Sequence, residues 1–167
     1  MGIRIRMAEH QDYQTTEAIE NRADELMIDF LHATKWPPTT SAEERAHSIG
    51  FTLLAVEDYG GRTVGFAQVT EADESAHLEQ IAVLPEFGRL GYGRQLVHAA
   101  ADEVRRRGYP QITLRTFAGV PWNAPFYALC GFTPSEPESS FQHELVATEK
   151  KLGLPAYGRR IQMTRLL

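Results

Sequence analysis

His77 and Glu79 stand two apart in the segment HLEQIAV, which reads as a strand. At that spacing both side chains should lie on one face, with Ile81 and Val83 continuing it. A carboxylate two residues from an imidazole can raise its basicity and relay a proton through water. The pair could therefore deprotonate a nucleophile. Equally, His77 could lie at a rim while Glu79 only hydrogen-bonds beside a ligand. Glu79 is expected deeper along the strand, which makes it the stronger candidate base. Tyr127 lies in the aromatic segment APFYALCGF. A phenol is protonated at neutral pH and can donate a proton, or it can simply pack with its hydroxyl satisfied by backbone. Cys130, a lone cysteine ending that segment, reads as a small buried apolar residue rather than a covalent nucleophile.

Between these residues lies a turn, GRLGYGR, at residues 88–94. It follows the short apolar strand Ile81-Ala82-Val83, which Pro85 ends, and it opens into an amphipathic helix. Backbone N–H groups at a helix start, with the helix dipole behind them, form an anion site. Glycines 88, 91 and 93 let a ligand approach the backbone closely, and Arg89 and Arg94 can add charge-assisted contacts. A phosphate-bearing ligand is implied. The order G-x-x-G-x-G differs from the dinucleotide fingerprint G-x-G-x-x-G, and no Gly-Lys-Ser/Thr of a Walker loop is present.

The elements that must position these groups are legible as alternation and period. Residues 3–7 alternate as a first strand. Residues 12–32 carry Ala18, Ile19, Ala23, Leu26, Met27 and Phe30 at helical spacing, and Pro37-Pro38 lies beyond them as a breaker. Ser41-x-x-Glu44 predicts a second, short helix. Residues 51–57 and 62–69 form a hairpin around Tyr59-Gly60-Gly61. Residues 71–75 read as an acidic turn and 77–83 as the next strand. The helix over 91–107 puts Leu96, Ala100 and Val104 on one stripe. It ends in Arg105-Arg106-Arg107 and Gly108, a dipole-complementing end rather than a nucleic-acid patch. Strands at 111–117 and 160–166 flank a helix over 141–152. The result is an α/β domain with a mixed sheet.

Taken together, these motifs resemble the GNAT (GCN-related) N-acetyltransferase family. The resemblance rests on Ile81-Ala82-Val83, Pro85, residues 88–94, and the run Asn123, Phe126-Tyr127, Gly131-Phe132; close matches cover about a third of the chain. Gly88 stands where the family pattern has Arg or Gln, and Val120 where it often has Asn. The resemblance implies a mixed, mostly antiparallel central sheet flanked by helices and acetyl-CoA as acyl donor. It places the donor against Ile81, Ala82, Val83, Gly88, Arg89, Leu90, Gly91, Tyr92, Gly93, Arg94, Asn123 and Phe126. It also implies that Tyr127 protonates the leaving sulfur, that a backbone N–H at or near Val83 stabilises the oxyanion, and that Glu79 or His77 is the base. The acceptor groove would fall over residues 26–47 and 133–159, whose acids and aromatics suit the primary amine of a small molecule or peptide. A non-catalytic acyl-CoA-binding regulatory domain is the alternative. Dimers are common in the family, so a homodimer is possible.

Composition fits this picture. The 167 residues suit one domain spanning residues 1–167, long enough to bury about 70% of its unfolded surface. A net charge of −5 argues against a nucleic-acid surface. No apolar run reaches the ~18 residues of a membrane span. The opening MGIRIRMAEH has no signal-peptide core, and the single cysteine allows no internal disulfide, so a cytoplasmic location is expected. The histidines show no metal-ligand spacing with carboxylates, so no metal is expected.

Overall fold

The computed structural model describes residues 2–167. In chain order the elements are β1 (Ile3–Met7), α1 (Tyr13–Leu31), α2 (Ala42–His47), β2 (Gly50–Glu57), β3 (Thr63–Ala72), β4 (Ser75–Val83), α3 (Tyr92–Arg106), β5 (Gln111–Phe117), α4 (Ala124–Leu129), β6 (Thr133–Ser135), α5 (Ser140–Lys151) and β7 (Arg160–Leu166). One seven-stranded sheet runs β1-β2-β3-β4-β5-β7-β6, and only the β4–β5 neighbours are parallel. The expected mixed, mostly antiparallel sheet flanked by helices is what the chain forms.

Local chemistry explains the boundaries. The hairpin strands extend further than alternation suggested, so the acidic turn shrinks to Asp73 and Glu74, both with positive φ, as a two-residue hairpin turn requires. Asp73 Oδ2 then accepts from the Phe141 N–H at 2.9 Å, anchoring the start of α5. Ser41 Oγ accepts from Glu44 N at 3.1 Å and caps α2. The first residue of β2, Gly50, must be a glycine, because a Cβ there would sit 2.0 Å from the Val69 carbonyl oxygen.

Helices α3 and α4 cover one face of the sheet. Leu96, Val97, Ala100, Ala101 and Val104 of α3 are all buried in the core against β2, β3, β4 and β5. The three arginines ending α3 are ion-paired, Arg105 to Asp102, Arg106 to Glu103 and Arg107 to Glu71 at 2.9 Å. They close the helix end, as the sequence suggested. The opposite face carries α1, α2 and α5. There α1 buries Thr16, Ile19 and Glu20, a largely polar stripe aimed at the site described next.

Candidate active site

The site begins with a break in the β3–β4 register. Val69 pairs with Leu78 and Gln68 with Gln80, which leaves Glu79 as an extra residue in β4. Such a bulge bends the strand and re-aims its side chains. Before it, His77 pairs with Thr70, on the face of α1 and α2. Glu79 stays on that face, where Thr70 Oγ1 lies 3.4 Å from its Oε2. After it, Val83 pairs with Gly65 and sits with Leu96 on the α3 face. The expectation that Ile81 and Val83 continue the face of His77 and Glu79 is therefore wrong, because the inserted residue reverses the alternation.

The bulge also opens the sheet. β4 and β5 pair only at Ala76–Ile112 and His77–Thr113, then separate. The Leu84 N–H donates to Val64 O at 2.8 Å. By alternation Ala82 turns its backbone toward β3, whereas Ile81 and Val83 turn theirs toward the gap. Their N–H and C=O groups form an open edge that an amide-bearing chain could join as an added strand.

At the end of this edge lies the glycine turn. Gly88 N–H is used on Pro85 O, and the next helical bond is Gln95 N–H to Gly91 O. The N–H groups of Arg89, Leu90, Gly91, Gly93 and Arg94 therefore have no protein acceptor among the described residues. Arg89 and Gly91 hold φ near +62° and +83°. Alternating handedness of this kind curls successive N–H groups into an anion-binding nest at the start of α3. Gly91 alone of the three glycines needs its conformational freedom, because Gly88 has an ordinary φ of −67°. A Cβ on Gly93 would lie 3.5 Å from Phe126 Cζ, so α4 closes against the turn. Leu90, Arg89 and Arg94 are exposed beside it, whereas Tyr92 is buried under the turn.

Tyr127 is buried in α4, edge-on to Phe126 and Phe132. Its hydroxyl has no hydrogen-bond partner among the described residues, so the alternative of a backbone-satisfied phenol does not hold. Burial, then the neighbouring Cys130, pushes its pKa above the usual phenol value, which keeps the proton on oxygen at neutral pH. Asn123 sits at the N-cap position of α4, but its side chain makes no cap bond and is left available. Cys130 is buried and its thiol is pushed up by burial, the opposite of an activated nucleophile.

His77 and Glu79 exchange the places expected of them. The imidazole is only 3% exposed, edge-on to Phe141, with Nδ1 2.9 Å from Thr113 Oγ1. Burial, with Arg115 assisting, lowers its pKa to about 4, so it is neutral at pH 7. The strand edge expected to hold Glu79 deep and His77 at the rim bends at the bulge, and the carboxylate reaches solvent instead. Crowding by the surrounding protein still raises the Glu79 pKa, opposed by the Thr70 hydrogen bond. Around them, Arg115 and Arg160 clamp Glu149 at 2.9 and 2.8 Å. Arg45 pairs with Glu20 in the interior.

The members of these ion pairs lie far apart in the chain, and no spacing in the sequence announces them. Asp24 is not in an ion pair among the described residues. Burial, then the nearby Glu20, raises its pKa to about 6, opposed by the Trp36 indole N–H. A raised folded-state value favours the protonated form. The resulting stability is fully present below the ordinary value of 3.8 and is lost as pH rises through about 6. Wild type should therefore lose stability relative to Asp24→Asn between about pH 4 and 6, read by urea denaturation across that range. Parallel profiles for the two proteins would refute the assignment.

An open strand edge leads to a nest of free N–H groups at a helix start, and α4, which carries the buried phenol, packs against that turn through Phe126. The model of the acetyltransferase (GNAT) family matches residues 8–132. The chain belongs to the GNAT acetyltransferase family. Among curated relatives, the ribosomal protein bS18-alanine N-acetyltransferase of Escherichia coli K12 is 29% identical over 117 residues, covering 63% of this chain and 79% of that protein. Among solved structures, the PaiA N-acetyltransferase of Thermoplasma acidophilum in complex with coenzyme A superposes with a TM-score of 0.74 at 16% identity, over 100% of both chains. The E. coli ribosomal-protein-S18-alanine N-acetyltransferase gives 0.63 at 20% identity, over 98% of this chain and 93% of that one. At these identities the structural likeness speaks for the GNAT fold alone. Among the described residues no helix is long and apolar enough to cross a membrane, and no cluster of His, Cys, Asp and Glu could hold a metal.

Proposed function

We propose that residues 1–167 act as one GNAT domain that moves an acetyl group from acetyl-CoA directly to a primary amine of a small molecule or peptide. The observation that carries the donor assignment is the run of unpaired N–H groups at 89–91 and 93–94 beside the open edge of β4. The turn takes the pyrophosphate, and Ile81 and Val83 take the amides of the pantetheine arm. Arg89 and Arg94 supply the charge that Gly88 does not. Asn123 and Phe126 border the arm from α4.

The acceptor must react as a free amine, since an ammonium ion has no lone pair. The amine nitrogen bonds to the acetyl carbon, and the carbonyl oxygen gains charge next to the Val83 N–H. Glu79 takes the proton that the nitrogen loses as this bond forms, directly or through one water. The carbon–sulfur bond then breaks, and Tyr127 gives its proton to the departing sulfur. His77, neutral and enclosed, holds Thr113 and backs the bulge that presents Glu79. An amino terminus is the acceptor class that the bS18-alanine relative's name suggests.

Direct transfer is tested by Cys130→Ala. The variant should keep kcat within about threefold of wild type, because no bond to sulfur is made on the enzyme. Loss of several orders of magnitude without unfolding would establish a covalent acetyl-cysteine route instead. If Glu79 is the base, the acidic limb of kcat/KM should lie above the ordinary carboxylate range, in the direction of its raised pKa, and should vanish in Glu79→Gln. An unchanged limb in that variant would move the role elsewhere.

A further inference from the structure

A hollow of about 420 Å³ opens where α1 and β5 end, walled by Phe30, Leu31, Phe117, Val120 and Tyr157. Its volume falls in the range of small-molecule sites. Phe117 belongs to the face of α1, with its ring 6.3 Å from Trp36, and Trp36 is 6.1 Å from Tyr157. The N–H nest lies at the start of α3, which covers the other face, so the hollow is separate from the place prepared for phosphate.

A further feature marks it as a binding surface. Phe30 and Trp122 meet edge-on at 4.9 Å yet remain 46% and 43% exposed, and Leu26, one turn before Phe30, is 49% exposed. Single exposed apolar residues are ordinary, but a contiguous group beside a concavity signals a ligand. The wall offers aromatic and aliphatic surface, which suits the carbon body of an acceptor. Arg159 is the one charged residue among those lining the hollow, and its carbonyl accepts from Ala118 N–H at 2.9 Å.

We infer that this hollow is the acceptor-body subsite, and that the acceptor is a primary amine carried on an aromatic or bulky apolar group. The inference rests on the acetyltransferase reading above and narrows it. It also separates this chain from an enzyme built for an alanine terminus, whose methyl group would leave the hollow unfilled.

The test uses matched acceptors that differ only in the aryl group: 2-phenylethylamine against ethylamine, phenylalaninamide against alaninamide, and phenylalanine against alanine. The best aryl acceptor should exceed its partner by about 100-fold in kcat/KM, the magnitude expected for burying a phenyl ring. Which pair shows it distinguishes a free amine, a peptide terminus and an amino acid whose carboxylate meets Arg159. Phe30→Ala, at a half-exposed position, should cut that preference about tenfold through KM with kcat little changed. Ratios near one in all three pairs, or a Phe30→Ala effect confined to kcat, would overturn the inference. So would failure of every amine to be acetylated while acetyl-CoA still stabilises the fold, an outcome that leaves donor binding intact. Loss of acetyl-CoA binding itself would remove the underlying reading as well.

Discussion

Replacing Tyr127 by Phe should lower kcat by about 10²–10⁴ while leaving acetyl-CoA affinity within about twofold. The change removes one oxygen from a side chain whose ring is already fixed between Phe126 and Phe132. No protein hydrogen bond is lost among the described residues, so stability should be unchanged or slightly raised. A raised phenol pKa makes the group a poor base and a persistent acid. Its contribution is therefore to protonate sulfur as the carbon–sulfur bond breaks. Acyl donors with better leaving groups should suffer less from the substitution. An unchanged kcat would show that water protonates the thiolate and would reduce Tyr127 to a packing residue. Unchanged turnover below detection in both proteins, with coenzyme bound, would favour a non-catalytic acyl-CoA-binding domain.

Arg45→Ala should destabilise the protein by about 3–5 kcal/mol, because it strands buried polar groups. For a chain of this size that corresponds to a fall in Tm of roughly 6–20 °C. Arg45 is 2% exposed. Its Nε donates to Gln68 Oε1 at 2.8 Å, Nη1 to Thr16 Oγ1 at 2.9 Å, and Nη2 to Glu20. The guanidinium also lies 4.6 Å from the centre of the Phe66 ring. Removing it leaves a carboxylate that burial already pushes up. The double variant Arg45→Met, Glu20→Leu should recover most of the loss, since apolar replacement of both partners restores packing without a stranded charge. Equal losses for the single and double variants would mean that the pair itself, not its completeness, holds α1 and α2 to the sheet. Arg45 also lowers the Glu79 pKa through space, so the acidic limb of kcat/KM should move to higher pH in Arg45→Ala.

The elements were legible where one force dominated. The strand Ile3–Met7 alternates strictly, Gln111–Phe117 and Arg160–Leu166 alternate over most of their length, and the Leu96, Ala100, Val104 stripe leaves α3 one possible inward face. The glycine turn was legible because only a few residue types tolerate its backbone, although Arg89 adopts a positive φ that no sequence pattern announced. What stayed hidden was the bulge at Glu79. Alternation assumes one residue per pleat, and nothing in HLEQIAV signals the extra one, which is set by pairing against β3. That single insertion decides which side chains share a face, opens β4 from β5, and buries His77 while bringing Glu79 to water. The ionic network of Glu20, Arg45, Arg115, Glu149 and Arg160 was hidden for a similar reason. Its members come from α1, α2, β5, α5 and β7, and charged residues on separate elements read as solvated surface until the fold brings them together.

Whether the free N–H groups at 89–91 and 93–94 and the open β4 edge hold acyl-CoA is read most directly by thermal unfolding with acetyl-CoA, coenzyme A, ATP and NAD, each at the same concentration. At about 100 times Kd the coenzyme A species should raise Tm by roughly 5–10 °C, with little change from ATP or NAD. No shift with coenzyme A, or an equal shift with ATP, would contradict acyl-CoA binding there: Gly88 in place of the family's Arg or Gln would then have left the turn without the grip that acyl-CoA needs.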